Sequence, residues 1–155
     1  MLKINQKAPE FTLPNQDNKT INLKNFKGKW IIVYFYPKDN TPGCSIEAHE
    51  FSINKKKISE LGAVILGISK DSIKSHCSFI EKKKLDITLL SDEDHKVQEL
   101  YDVFKPKKFM GKEFLGTIRS TFLIKPDGKI AFIWNNVNFK GHVQEVLEKL
   151  KELNS

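Results

Sequence analysis

Cysteine, arginine and long apolar runs are what this 155-residue chain has least of. It carries two cysteines, Cys44 and Cys77. Two thiols cannot be the main staple of a chain this size, and they fall far below the density of small secreted disulfide scaffolds. Any disulfide is therefore expected to be reactive rather than structural. The longest apolar run, Trp30 to Tyr36, is far short of the ~20 residues that span a bilayer. The opening MLKINQKAPEF holds no apolar leader core, no small-residue cleavage site and no Arg-rich amphipathic stretch. Taken together, these absences lead us to expect a cytoplasmic protein with no membrane partner.

Arginine occurs once, as Arg119, among 26 basic residues set against 19 acidic ones, for a net charge of +7. A basic surface attracts polyanions whatever its fold. Phosphate and base recognition, however, favours the bidentate guanidinium, and here the charge is almost all lysine. Solvated runs such as Lys55 to Lys57 and Lys82 to Lys84 read as helix ends, so no nucleic-acid partner is expected. No internal repeat, low-complexity tract or Gly/Ser/Pro linker divides the chain. One domain over residues 1–155 is the expectation.

What the chain does contain is alternation of element types. Phe11 to Leu13 and Thr20 to Leu23, around the polar turn 15–18, predict an early hairpin. Lys29 to Tyr36 is a β-branched and aromatic run suited to a central strand buried on both faces, and Pro37 ends it. A loop to Gly43 leads into a helix expected from Cys44 to Leu61, followed by a buried strand at 63–69. Asp71 or Ser72 can cap a helix reaching Lys84. A short strand at 87–90 precedes a helix expected from Ser91 to Val103, with acidic residues at its positive end. Lys105 to Gly116 reads as a long surface loop near the site. Strands at 117–124 and 129–134 around Pro126-Asp127-Gly128 predict a hairpin, and Lys140 to Leu153 an amphipathic helix with Val143, Val146, Leu147 and Leu150 on one face. The order gives an α/β sandwich with a mixed central sheet flanked by helices and an N-terminal hairpin extension.

Chemistry concentrates at Cys44. It follows a buried strand, a turn and a helix start, so free backbone amides and the helix dipole favour thiolate over thiol. Gly43 lacks a Cβ beside the sulfur, so a substrate oxygen can approach the local amides. Thr41 can turn its hydroxyl into the same pocket, and Pro37 and Pro42 stiffen the loop. The bland alternative for Cys44 is a small buried hydrophobe.

The string Tyr34-Phe35-Tyr36-Pro37-Lys38-Asp39-Asn40-Thr41-Pro42-Gly43-Cys44-Ser45-Ile46-Glu47-Ala48 resembles the peroxiredoxin active-site motif, in the form carried by the peroxiredoxin Q (bacterioferritin comigratory protein) branch. Collinear matches follow at 66–72, 89–92 and 118–124, so the resemblance covers nearly the whole chain. It implies a thioredoxin-like fold and a monomer. It also implies a thiol peroxidase that reduces hydrogen peroxide and organic hydroperoxides and is recycled by thioredoxin or a similar dithiol donor, with no cofactor. Carried over by position, Cys44 matches the peroxidatic nucleophile and Thr41 the hydroxyl that holds the peroxide. Arg119 matches the arginine that stabilises the thiolate and the leaving oxygen, Pro37 the shielding proline, and Glu47 a supporting position.

Many members of the branch carry a second cysteine five residues after the first, where this chain has His49. A subgroup places its resolving cysteine on the helix after Ser72, at a position matching Ile80. Cys77 lies one turn earlier, so it stands either as a displaced resolving cysteine or as a partly buried inert thiol between Ile73 and Ile80. His49 is expected on a helix surface. His76, His95 and His142 show no metal-ligand spacing, and no metal is expected. Two other classes stay open: a thioredoxin-like disulfide oxidoreductase, although Cys44-Ser45-Ile46-Glu47 lacks its C-x-x-C pair, and a non-enzymatic redox-sensing or nucleic-acid-binding protein.

Overall fold

The structure is a computed structural model that describes residues 2–154, apart from the side chain of Phe109. Strand β3 (Trp30–Phe35) is buried at every position, as its unbroken apolar sequence requires. Side chains alternate across a strand, so Trp30, Ile32 and Tyr34 feed one core while Ile31, Val33 and Phe35 feed another. Parallel to β3 run β4 (Ala63–Ser69) and, beyond it, β5 (Thr88–Ser91). On the other side β8 (Ser120–Ile124) pairs antiparallel with β3, and β9 (Ile130–Trp134) with β8. The five-stranded mixed sheet has the order β5-β4-β3-β8-β9. The expected early hairpin is β1 (Thr12–Pro14) with β2 (Thr20–Asn22), and it reaches the β5 edge through an Asn15 to Leu90 bridge.

Helices α1 (Pro42–Ile53), α2 (Lys55–Glu60), α3 (Ile73–Lys83) and α5 (His142–Leu153) cover the first core. Their apolar faces supply Ala48 and Phe51, then Ile58, then Phe79, then Val143, Val146, Leu147 and Leu150. The opposite core holds Val97 of α4 (Lys96–Leu100), with Phe11, Leu13 and Tyr101. Gly67 leaves room for the Tyr34 ring in the first core, since a Cβ there would lie 2.8 Å from that ring.

Three sequence expectations are corrected. The helix expected over 44–61 starts at Pro42 and breaks at Asn54, whose side-chain amide donates to the Glu50 carbonyl at 2.8 Å in competition with the backbone ladder. The helix expected over 91–103 shrinks to α4. His95 adopts a left-handed φ of 63°, and the Asp92 carboxylate accepts the Val97 and Gln98 amides, so residues 92–95 form a capping turn instead. Lastly, the expected loop over 105–116 is a hairpin of β6 (Phe104–Phe109) and β7 (Lys112–Thr117). Met110 and Gly111, both at positive φ, make its two-residue turn, a geometry typical of tight hairpins. This ribbon lies outside the main sheet, so its lysine-rich strands carry no burial signal.

Candidate active site

Strand β3 delivers the chain to the carboxyl edge of the parallel strands, and the loop from Pro37 to Thr41 turns it into α1. Thr41 is the N-cap, Pro42 occupies the first helical position, and Cys44 therefore sits in the first turn. The Gly43 and Cys44 amides have no acceptor within the helix there. Cys44, Glu47, Ala48 and Phe51 form the buried face of α1 at helical spacing.

Arg119 enters from the residue before β8 and joins the two polar members of that face. Its Nη1 donates to Glu47 Oε1 at 2.7 Å and its Nη2 to Cys44 Sγ at 3.2 Å. Burial works against the guanidinium charge, but the charges of Glu47 and Cys44 outweigh it, and Arg119 is held above its ordinary value. Glu47 is fully buried, and desolvation lifts its carboxyl to about 7 against the pull of Arg119. Its Oε2 and the Tyr34 hydroxyl are buried with no hydrogen-bond partner among the described residues. From β6, Lys107 donates to the Thr117 carbonyl at 3.0 Å. Burial lowers Lys107 first and the charge of Arg119 second, while Cys44 acts the other way.

The other expected residues fall as follows. Thr41 is the N-cap three residues before Cys44, and its hydroxyl donates to the Lys38 carbonyl at 2.8 Å, which leaves its oxygen to accept. Pro37 is half-buried and His49 is exposed, as expected for a helix surface. Gly43 has a reason the sequence did not show. A Cβ there would fall 2.8 Å from the Phe139 ring and 3.3 Å from Arg119 Nη2. The partly buried reading of Cys77 is corrected: His76 and Phe79 take the inward face of α3, and Cys77 is exposed with its Sγ donating to the Gln16 carbonyl at 2.8 Å. Ile80, by contrast, packs against the core that contains Cys44.

Sequence reasoning also missed a brace behind the loop. Asp39 is buried and accepts from the Tyr36 hydroxyl at 2.6 Å and the Ser75 hydroxyl at 2.8 Å. It meets His76 Nδ1 at 2.7 Å. His76 Nε2 lies 3.0 Å from the Leu90 carbonyl, which can only accept, so that nitrogen carries hydrogen. The Asp39 amide donates to Asp71 at 2.8 Å. Asp39, Asp71 and His76 thus place three potential ligand atoms within 4.8 Å of one another. Each is already engaged in these hydrogen bonds, and the set ties the Cys44 loop to the start of α3. Tyr36 and Asp39 lie in the quoted motif and Asp71 in the match at 66–72, but nothing in the sequence linked them to Ser75 or His76. The partners of Asp39 arrive from 32 to 37 residues away, except Tyr36.

The chain matches the AhpC/TSA family over residues 4–133. It is 46% identical over 152 residues to a protein named peroxiredoxin Bcp from Bacillus subtilis, covering 98% of this chain and 97% of that one. A peroxiredoxin Bcp from Escherichia coli is 44% identical over 151 residues, covering 97% of each chain. Among solved structures, a mutant of PrxQ from Xylella fastidiosa superposes with a TM-score of 0.95 at 36% identity, covering 100% of this chain and 99% of that one. A trapped intermediate or ligand complex of the Xanthomonas campestris bacterioferritin comigratory protein, studied for alkyl peroxide reduction, gives 0.92 at 36% identity, covering 99% and 100%.

Proposed function

We propose, from the premise that this chain belongs to the AhpC/TSA family and within it to the peroxiredoxin Bcp and peroxiredoxin Q group, that its thiol peroxidase activity runs through Cys44 as the nucleophile. The observation that carries this reading is the Arg119 fork, which spans the Cys44 sulfur at 3.2 Å and a buried carboxylate at 2.7 Å. The chain has a thioredoxin-like α/β fold, and its substrates are a hydroperoxide and a thiol reductant. Among the described residues no helix is long and apolar enough to cross a membrane.

The Cys44 thiolate attacks the outer peroxide oxygen, forming an S–O bond as the O–O bond breaks. The electron pair leaves on the inner oxygen, which takes up a proton, giving Cys44 sulfenic acid and an alcohol or water. Charge moves from sulfur to the departing oxygen, and Arg119 faces both ends of that movement. The Gly43 and Cys44 amides supply further donors, the Thr41 oxygen accepts the peroxide O–H, and Pro37 limits water. Glu47 fixes the guanidinium by the opposite fork.

Resolution follows when a second thiol attacks the sulfenic sulfur, releasing water and leaving a disulfide. Cys77 fills that role on our reading. Cys44 is 1% exposed and Cys77 points to Gln16, so the first turn of α1 has to open before the sulfurs meet. Thioredoxin or a similar dithiol then reduces the bridge. The chain acts as a single-domain monomer in the cytoplasm.

Intact-mass and peptide mapping after one equivalent of peroxide tests both steps. A Cys44 to Cys77 bridge is the expected product. Sulfenic or sulfinic Cys44 with free Cys77 would replace it by one-cysteine chemistry, and peroxide turnover retained in Cys44→Ser would overturn the nucleophile itself.

A further inference from the structure

Residues 135–141 join β9 to α5 outside the sheet and helices, yet their backbone is tied to the site. The Val137 amide donates to the Arg119 carbonyl at 2.8 Å. Two residues on, the Phe139 ring lies so close to Gly43 that a Cβ there would fall 2.8 Å from Cδ1 and 2.9 Å from Cε1. The Arg119 guanidinium carbon stands 5.7 Å from the centroid of the same ring, within cation–π range. One aromatic side chain therefore touches both the residue preceding Cys44 and the cation that contacts its sulfur. The ring is only half-buried and belongs to neither core, so part of its apolar surface is left exposed beside Gly43 and Arg119.

We propose that Phe139 is a specificity-determining residue, an apolar wall at the peroxide entrance that favours hydroperoxides with an alkyl or aryl substituent over hydrogen peroxide. This rests on Cys44 being the nucleophile with Arg119 beside it. The reacting unit is the same for every substrate: thiolate, hydroperoxide and a proton give sulfenic acid and an alcohol or water. Discrimination must come from what surrounds the substituent on the inner oxygen. Held between the Gly43 amide and Arg119, a hydroperoxide directs that substituent outward past the groups flanking both, and Phe139 is a side chain in contact with both. An apolar substituent leaves water against the ring, whereas hydrogen peroxide has nothing to bury. The contact is the same in the ground state and the transition state, so it acts mainly on KM.

The test compares kcat/KM for cumene hydroperoxide and hydrogen peroxide in the wild type, Phe139→Ala and Phe139→Leu. The wild type is expected to prefer cumene hydroperoxide. Phe139→Ala should lower the ratio of the two values roughly tenfold or more, the scale on which an apolar pocket senses a missing group, mostly through the KM for cumene hydroperoxide. Hydrogen peroxide should change by no more than about fivefold, the worth of an exposed cation–π contact. Phe139→Leu, which keeps an apolar side chain, should retain most of the preference. An unchanged ratio would overturn the proposal, as would equal loss on both peroxides that Phe139→Leu restores equally, because the ring would then serve only to prop Arg119. Activity surviving in Cys44→Ser would instead remove the underlying reading, whatever the ratio.

Discussion

Cys44 and Cys77 stand near the starts of two helices on the same face of the sheet, and their surroundings are opposite. The Cys44 sulfur is buried against a guanidinium 3.2 Å away. That of Cys77 is exposed and meets a backbone carbonyl at 2.8 Å. A guanidinium presents donors to the sulfur, whereas a carbonyl oxygen can only accept from it. Burial alone would make Cys44 the inert thiol and Cys77 the reactive one. On the proposed reading the polar partners reverse that order, and the variants below test it.

The sharpest way to break the contrast is to remove each sulfur. Cys44→Ser should cost about 10³-fold or more in peroxide turnover, as loss of a nucleophile does. Removing the cation instead of the sulfur comes next. Arg119→Met is expected to lower kcat/KM by roughly 10²- to 10³-fold, the usual cost of losing one transition-state donor; a change under tenfold would mean that burial, not the fork, governs Cys44.

Two further variants probe the supports on the Cys44 side. Asp39→Ala strips the buried partner from His76, Ser75 and Tyr36 and should cost roughly 3 kcal/mol in urea unfolding, as breaking a buried pair does. The Glu47 carboxyl is raised from 4.5 to about 7 by burial, so the folded state binds this proton more tightly than the unfolded chain. Stability from this group is fully present below about pH 4.5 and is lost as pH rises through about 7. Glu47→Gln should thus gain on the wild type across that window, approaching roughly 3 kcal/mol at its top. His142 bends the wild-type curve the other way. Burial holds it down at about 4, so its contribution is present above about 6.5 and is lost on acidification. Parallel curves for Glu47→Gln and wild type between pH 5 and 8 would show that the carboxylate is ionised throughout.

The smallest effect is on the Cys77 side. Cys77→Ser should leave the rate of the first peroxide reduction within about twofold, the range of exposed substitutions, while abolishing the intramolecular disulfide. A large loss in that single turnover would erase the contrast between the two thiols.

Central strands and the amphipathic α5 were legible because burial on one or both faces writes a period of two or 3.6 into the residues, and the early hairpin and the start of α3 because their polar turn and capping residues are local signals. Hairpin β6–β7 and the shortened α4 were not, since one lies off the main sheet and the other yields its first turn to the Asp92 cap. At the site, Cys44, Thr41, Gly43 and Pro37 were readable as one contiguous motif on a strand-turn-helix. Arg119 was reached only through resemblance, because nothing local ties it to a residue 75 positions away.

By itself, then, the sequence determined the class of fold, the helix start that carries Cys44 and the sulfur chemistry such a start favours, all consequences of neighbours along the chain. Tertiary structure alone decided that Arg119 reaches Glu47 and Cys44 together, that His76 braces Asp39, that Cys77 faces outward and that Phe139 lies against Gly43. These contacts join separate elements across the sheet edge, and their geometry is set by how helices and loops seat on that sheet, which no spacing along the chain encodes.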